Sequence, residues 1–579
     1  MNELIVGIDL GTTNSELAVV RNGQVEVIPI HGQLIMPSCV GIDAQGRLVV
    51  GPTAKNQLVA APDSTVLSIK RRMGEDIRVT LKDQSFSPEE ISAFILRELK
   101  QEAERVLGQP VHKAVITVPA FFNERQRLAT QMAGKLADLD VVRILNEPTA
   151  AALAYGAGDT AAETMLVYDL GGGTFDVSVV VVESGVVEVK ASHGDTHLGG
   201  DDFDQLLVDR AVAEFQQRYG TDLHGNPQAL RRLKVVMERA KWVLSDEPYA
   251  SIREEYLDGE HHFEMELERI EYERLIQPLL EKTLHCVHQS LEDARLEPKD
   301  LHKVMLVGGA TRTPLVHRLL LERLQLEPRF EINPDLIVAM GAALQGAVLA
   351  GEKPKSILVD ITPHTFSTTA ISDFGDEERV ICVPILPRNT PLPATKSEVV
   401  YTRYDNQDKT LVEAYQGENP LPEQNIFIGA FRVEGLSRVP EGNPILIHFE
   451  LDLNGMLKVT ATEKITGLAK TVTMDTRGEH RFDLDEARQN VAALMGSSSL
   501  VPAPPSEPAG EAGLEEALTI AKELRKRGEA LLQTSLDSDD ADEINLLLRR
   551  SAAAIANRDG ADLKDANNAL SDLLFYLED

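Results

Sequence analysis

Three cysteines in 579 residues, Cys39, Cys286 and Cys382, stand far apart with no Cys-x-x-Cys pair. This spacing excludes a disulfide framework and offers no zinc site. Long apolar runs are missing as well. No stretch of about 20 apolar residues occurs, so no membrane-spanning helix is expected. The N-terminus lacks the basic segment, hydrophobic run and small-residue cleavage site of a secretory signal, which makes the cytoplasm the expected location. Positive charge is scarce, with 58 Lys+Arg against 91 Asp+Glu and a net charge of −33. Such a chain repels nucleic acid and anionic membranes, and neither is expected as a partner. An anionic ligand would need a local positive site or a metal.

What the chain does have is length and alternation. With 43% hydrophobic content it can bury a large core and form two or three domains. Residues 1 to about 350 alternate strand-like runs (Leu4–Leu10, Ala114–Val118, Leu166–Tyr168, Val304–Val307) with helical patterns such as "EEISAFILRELKQEAERVL", an α/β pattern. "SILVD" (356–360) is a short apolar segment, a linker or an added strand according to whether it finds a partner. From about 361 to 475, Thr, Val and Ile fill strand-length runs broken by Pro, Asn and Gly. Here "EVVYTRYDNQDKTLVEAYQGE" reads as a hairpin around Asp405-Asn406. A short helical pattern follows Asp485, then the Ser/Pro/Gly-rich "GSSSLVPAPPSEPAGEAG", expected to be flexible. Residues 513 to 579 read as two or three amphipathic helices.

Two stretches write the same phrase. "VGIDLGTTNSELAVV" (6–20) and "VYDLGGGTFDVSVVVV" (167–182) each run Asp-Leu-Gly, then small or hydroxylated residues, then a strand-like alternation. A strand, a Gly/Thr-rich turn and a returning strand gather backbone N–H groups and hydroxyls around one concavity, which suits a phosphate. Two such hairpins, each preceded by an aspartate (Asp9 and Asp169), would face each other if the two halves share a fold. Neither is a Walker A loop or a dinucleotide fingerprint, because no Gly-Lys-Ser/Thr follows and no helix starts after the glycines. Mg²⁺ prefers oxygen ligands and keeps several waters, so two carboxylates held at a water's distance match its chemistry.

Three more segments belong with these. "RILNEPTAAALAYG" (143–156) and "NPDLIVAMGAALQGAVLAG" (333–351) each carry a proline near the start of the helical run and continue as small-residue helices able to cross at a hinge. "VMLVGGATRTPLV" (304–316) is a buried-looking strand ending at Gly308-Gly309, where a backbone could pass beneath a nucleoside. In "MERAKWVLS", Glu238, Lys241 and Ser245 fall at i, i+3 and i+7 on one helix face. Trp242 beside them reads as a tryptophan packed between helices, stacking on a base being the other reading. His261-His262 point to opposite faces of a strand and read as a surface hairpin. The acidic "LDSDDADE" (536–543) lacks the glycine and spacing of a calcium loop.

In order, these segments resemble the two phosphate, two connecting and one adenosine segments of the superfamily of actin, sugar kinases and heat-shock ATPases. The wording "IDLGTTNS", "VPAFFNERQR", "NEPTAAALAYG", "DLGGGTFDVS" and "LVGGATRTP" is similar to the seventy-kilodalton heat-shock chaperones of DnaK type, over essentially the first 475 residues. The short chain, the brief stretch between Lys70 and Pro88 and the divergent C-terminus resemble the bacterial HscC-like branch. A bacterial cytoplasmic protein is implied, since the chain does not end in the acidic tetrapeptide of eukaryotic cytosolic members.

The resemblance implies a multidomain fold: an actin-like (ribonuclease H-like) α/β two-lobed ATPase domain, a β-sandwich peptide-binding domain and a short α-helical lid. The boundaries expected are 1–352 for the nucleotide-binding domain, 353–362 for the linker, 363–478 for the β-sandwich and 479–579 for the lid, with a flexible stretch at about 496–512. It implies ATP/ADP and Mg²⁺ as cofactors, with K⁺ a further candidate. Asp9 and Asp169 would hold Mg²⁺ through its waters, while Thr12, Thr13, Gly171, Gly172, Gly173 and Thr174 would bind phosphate oxygens. Lys70, which as part of a basic tripeptide would otherwise read as a solvated face, matches the lysine that meets the γ-phosphate. Glu147 and Asp176 match water-positioning carboxylates. Glu238, Lys241, Ser245, Gly308, Gly309, Arg312 and Asp335 match the nucleoside contacts.

Pro119 and Arg127 match the pair that relays nucleotide state, and Arg143 and Asp360 match residues that respond to a J-domain co-chaperone; a nucleotide exchange factor is a further partner. Phe121 stands where many members have tyrosine, which implies a missing hydroxyl near the catalytic water and slow hydrolysis. In the peptide groove the arch and pocket positions fall on Ile371, Arg403 and Thr410. Thr410, where an aliphatic residue is usual, would weaken leucine-like selectivity by about 1 kcal/mol. The activity implied is ATP-controlled binding and release of unfolded or extended polypeptide. A small-molecule kinase would lack a β domain after residue 350, and an actin-like filament protein would have no use for "SILVD" and a groove.

Overall fold

The computed structural model describes residues 4–156, 162–330, 333–353, 356–374, 377–474 and 484–496, with short pieces between 521 and 567. The chain divides into two compact units, 1–497 and 498–579. In the second, helical pieces at 524–527 and 547–552 are described, with Ala521, Leu524, Ile544, Leu548 and Leu563 buried. The stretch 497–512, the acidic 536–543 and most of the helices expected after 513 lie outside the described residues.

The first unit opens with two sheets of matching design. In one, the order is Asp140–Asn146, Lys113–Val118, Ile5–Leu10, Asn14–Arg21, Gln24–Val27. In the other it is Pro328–Arg329, Lys303–Val307, Glu163–Leu170, Phe175–Glu183, Val186–Asp195, Ile357–Val359. Each places a parallel strand beside an antiparallel hairpin, Gly7↔Ala18 to Leu10↔Ser15 in the first and Glu163↔Val182 to Leu170↔Phe175 in the second. The repeated phrase in the sequence is thus the central hairpin of a repeated fold. Almost unbroken apolar runs such as "MLVY" and "VMLV" form strands covered on both faces.

The two small-residue helices, Glu147–Gly156 and Ile337–Leu349, cross between the lobes. A Cβ on Gly341 would run into the Ala150 carbonyl oxygen, and one on Gly7 would meet the backbone of Ala342 and Ala343. Only glycine permits these approaches. The helix Glu124–Leu136 starts at a capping box in which Asn123 and Gln126 satisfy each other's backbone N–H. That start presents Glu124, Arg125 and Arg127 toward the β domain.

"ILV" (357–359) adds to the edge strand Val186–Asp195 in parallel, Val186↔Ile357 to Glu188↔Val359. Beyond it, two four-stranded sheets form a sandwich. One is ordered Glu377–Leu386, Phe366–Phe374, Lys409–Gln416, Ile426–Glu434; the other Ala394–Tyr401, Pro444–Leu451, Leu457–Glu463, Ala469–Thr473. Their inner faces share one core around Phe366, Val412, Phe431, Ile447 and Phe449. The hairpin expected at Asp405-Asn406 does not form. Ala394–Tyr401 pairs with Pro444–Leu451 and Lys409–Gln416 with Ile426–Glu434, so the turn carries the chain from one sheet to the other. Alternation marks both segments as half-buried strands equally well whichever partner they take, so it could not give the pairing. The helix Leu484–Gly496 returns to the first lobe, with Ala487 against Ala93 and Leu136 and with Val491 and Leu494 in that lobe's core.

Candidate ATPase site and its link to the β domain

The two glycine-rich turns meet face to face. A Cβ on Gly172 would collide with Thr13 Oγ1, and one on Gly173 would lie 2.6 Å from Thr12 Cγ2. Thr13 Oγ1 is buried without a hydrogen-bond partner, which leaves a donor aimed into the concavity. Gly171 N–H bonds the Thr174 carbonyl within the second turn (3.1 Å). Gly308 closes the wall at φ 82°, where a Cβ would come 2.5 Å from the Leu170 carbonyl oxygen.

Lys70 is buried, not on a solvated face, and its Nζ donates to Glu147 Oε1 at 2.5 Å. Around it crowd Asp9, whose Oδ1 accepts from Thr117 Oγ1 at 2.7 Å, Asp169, and Asp176, whose Oδ1 accepts the Phe121 N–H at 3.0 Å. Burial raises all these carboxyls above their ordinary range, Asp9 and Asp169 among them, with Asp176 pushed to about 7 and Glu147 to about 8. Burial pulls Lys70 down, but Glu147 and Asp9 outweigh it and hold the ammonium charged. One lysine cannot balance so many carboxylates, so the cluster is built for an added cation. The unpartnered Thr13 hydroxyl, the glycine cradle and the oxygen-only donor set all suit a hydrated Mg²⁺ with a polyphosphate.

The residues expected to meet a nucleoside are partly assembled. Arg312 Nη2 bonds Asp335 Oδ2 at 3.0 Å, with Gly309 beside the same carboxylate. Lys241 Nζ bonds Asp204 Oδ2 (2.9 Å) and the Gly200 carbonyl (3.0 Å), Glu238 reaches across the cleft to Lys55 (3.4 Å), and Ser245 Oγ turns back to the Lys241 carbonyl. Trp242 is not packed between helices: it is 56% exposed, with the Lys55 ammonium 5.5 Å from its ring centroid. The buried face of this helix is Leu233, Met237, Ala240, Lys241 and Leu244; Glu238 and Ser245 lie at its edge, and Trp242 turns outward. His261 and His262 lie in the connection between Tyr249–Glu254 and Phe263–Glu268, where Asp258 accepts from the His261 N–H. Among the described residues no group of three His, Cys, Asp or Glu is placed to hold a metal directly.

Pro119, Arg127, Arg143 and Asp360 converge behind the catalytic cluster. Arg127 bonds the Ala120 and Phe122 carbonyls, the segment that follows Pro119, and Asn146 Oδ1 at 2.7 Å. Asn146 Nδ2 bonds both oxygens of Asp360 at 3.0 and 3.1 Å. Arg143 adds its charge beside Asp360 and Asp452. The β domain reaches the same surface: Glu124 Oε1 accepts the Leu457 N–H (2.8 Å), Arg125 Nη2 bonds the Phe427 carbonyl (2.8 Å) and Asn454 Oδ1 accepts the Ile144 N–H (3.0 Å). The groove residues stay apart from all this. Ile371, 49% exposed, and Thr410 lie on neighbouring strands beyond the end of their ladder at Thr368↔Ala414, and Arg403 sits on the turn between sheets.

Sequence reading passed over several participants. Glu16 stands opposite Asp9 in the first hairpin and is buried, its carboxyl held well up by burial and by Asp9. An acid inside an otherwise apolar strand was the available signal. Arg71 and Ser68 bridge the cleft to Asp202 (3.0 Å) and Asp201 (2.5 Å). Asn146, the last residue of the strand Asp140–Asn146, carries no motif signal of its own.

The chain matches the family model described as Hsp70 protein over residues 5–80 and 75–493. A protein named Chaperone protein DnaK from Thermotoga maritima is 43% identical over 502 residues, covering 84% of this chain and 83% of the relative. The protein of the same name from Thermosipho melanesiensis is 44% identical over 496 residues, covering 84% and 82%. The chain belongs to the Hsp70 family and is an ATP-dependent chaperone with ATPase activity.

Proposed function

We propose that the chain binds ATP·Mg²⁺ between its two glycine-rich turns and uses hydrolysis there to control the grip of the β domain on unfolded or extended polypeptide. Thr12, Thr13, Gly171, Gly172, Gly173 and Thr174 bind phosphate oxygens, and Asp9 and Asp169 hold the waters of Mg²⁺. Lys70 meets the terminal phosphate, with Glu147 and Asp176 orienting the attacking water; positioning and charge stabilisation account for most of phosphoryl transfer. The metal, when bound, neutralises charge on the phosphates. Glu238, Lys241, Ser245, Gly308, Gly309, Arg312 and Asp335 hold the nucleoside, with Lys241 and Glu238 exchanging their present partners for it.

The observation that carries the reading is the linker strand Ile357–Val359 added to the sheet that bears the second phosphate hairpin, followed at once by Asp360 locked to Asn146. A kinase or a filament protein would have no use for a sandwich tethered in this way. Ile371, Arg403 and Thr410 line the peptide groove, where backbone pairing gives generality and Thr410 softens apolar preference. A J-domain co-chaperone acting at Arg143 and Asp360, an exchange factor, K⁺ as a second cation, a bacterial cytoplasmic setting and the HscC-like branch complete the proposal. The test is fluorescence anisotropy of labelled unfolded peptides with ADP and with ATP·Mg²⁺. Tight binding in ADP that loosens in ATP supports the cycle, with Lys70→Ala, which binds ATP and barely hydrolyses it, as the control that holds the ATP state; hydrolysis without peptide binding in either state refutes it.

A further inference from the structure

Both sides of Phe121 are used. Its N–H donates to Asp176 Oδ1 at 3.0 Å, and its carbonyl accepts from His364 Nε2 of the β domain at 3.0 Å. The His364 ring packs edge-on against the Phe121 ring with centroids 4.3 Å apart, and His193 stacks on the same ring at 6.1 Å. His193 Nε2 lies 3.0 Å from Asp293 Oδ2. That carboxylate also receives Arg388 Nη2 (2.8 Å) and Asn389 Nδ2 (2.9 Å) from the β domain. A single residue thus separates a carboxylate of the catalytic cluster from a histidine of the other domain.

We propose that His364 is a positioning residue: when the β domain is docked it fixes the Phe121 backbone against Asp176, and it docks only as a neutral imidazole. A carbonyl can only accept, so the proton sits on Nε2 and a second proton would bring an unpaired charge into the interface. The charged and titratable groups facing the ring are Arg127 and His193, which oppose that charge, and Glu418, which favours it. Glu418 is already held by the Thr365 N–H (2.8 Å) and hydroxyl (2.7 Å). Burial dominates and pushes His364 down to about 4; burial also lowers His193 despite Asp293.

On separation His364 returns to water and to its ordinary value of about 6.5. The docked state therefore binds fewer protons, and docking weakens as pH falls through 6.5 toward 4. Between pH 7.5 and 5.5 this shift lowers the docking constant about tenfold.

The proposal rests on the ATP-driven cycle above, and the experiment separates the two. Full-length protein with saturating ATP·Mg²⁺ carries a dye pair, one on the first lobe and one on the β domain, and is followed by energy transfer at pH 5.5, 6.5 and 7.5. ATP-dependent docking of the unaltered chain at pH 7.5 tests the cycle, and the variants test His364. His364→Gln, which keeps an N–H donor without titrating, should dock normally at pH 7.5 and lose most of the acid sensitivity. His364→Leu should dock several-fold more weakly at pH 7.5 and change single-turnover kcat, read at saturating ATP, about threefold or more, with ATP affinity falling by no more than docking does. Equal pH dependence in His364→Gln and the unaltered chain overturns the proposal. So does a His364→Leu protein that matches the unaltered chain in docking and turnover.

Discussion

Asn146→Ala should uncouple the domains, and the structure sets the size of the effect. The amide joins two buried charges, Arg127 at 2.7 Å and Asp360 at 3.0 and 3.1 Å. The Arg127 bond is made within the ATPase domain and persists whether or not the linker is docked, so its loss cancels from the docking equilibrium. The bonds to Asp360 exist only while the linker strand is seated. Asp360 keeps the Ile361 N–H (2.9 Å) and Thr149 Oγ1 (3.3 Å), so the variant strands part of a buried carboxylate, not all of it. Hydrogen bonds to a charged group contribute about 1.5–3 kcal/mol, which corresponds to a docking constant roughly 10- to 150-fold lower. Energy transfer between the first lobe and the β domain with ATP·Mg²⁺ present reads this directly, and ATP-accelerated peptide release should fall in parallel. A double-mutant cycle with Asp360→Ala isolates the pair, since after Asn146→Ala the second substitution should cost less than it does alone by the Asn146–Asp360 share. Additive effects, or docking within about threefold of the unaltered chain, would refute the relay through Asn146.

Lys70→Ala should lower single-turnover hydrolysis about 100-fold or more while ATP still binds, because the lysine acts on the transferring phosphate and not on the nucleoside; equal losses in affinity and rate would count against that role. Burial raises Asp176 to about 7 and Glu147 to about 8, so the nucleotide-free native state holds protons that the unfolded chain releases near pH 4. Its stability should therefore fall as pH rises from about 4 toward 8, and the Tm gain from Mg²⁺·ADP should be larger at pH 8 than at pH 6 by scanning calorimetry; the reverse order would contradict the charge argument. Gly341→Val should cost several kcal/mol, or about 3, in denaturant titration, because its Cβ meets the Ala150 backbone and not a movable side chain; a loss under about 1 kcal/mol would mean the helices can part freely.

The ATPase half was legible because its chemistry is written locally. Each glycine-rich turn lies within one hairpin, and a hairpin's strands pair with each other by necessity of chain length, so the grouping of Asp9, Thr12, Thr13 and Gly171–Thr174 on two matching turns follows from contiguous text. Lys70 was legible only through motif context. Nothing in "IKRR" distinguishes the buried lysine from its neighbours, and what buries it is Glu147 arriving from another strand end. Asn146 was missed for the same reason, since Asp360 reaches it from more than 200 residues away, whereas Glu16 faces Asp9 within its own hairpin and was legible as an acid inside a strand.

The β domain shows the opposite case. A half-buried strand presents the same alternation whichever neighbour it pairs with, so "EVVYTRYDNQDKTLVEAYQGE" looked like two strands folded on each other when they belong to different sheets. The Asp405-Asn406 turn is real, with Asn406 at φ 57°, but a turn signal fixes chain reversal and not partnership. The same ambiguity extends to the interface. His364 and His193 are single histidines in unremarkable surroundings, and only the docked arrangement brings His364 onto the Phe121 ring that His193 also contacts. The contacts between the domains fall where residues far apart in sequence meet on short backbone segments, Asn146 to Asp360 and Asp176 through Phe121 to His364. The sequence pattern that encodes each domain is therefore strong where the domain is self-contained, and weakest at the contacts that let one domain act on the other.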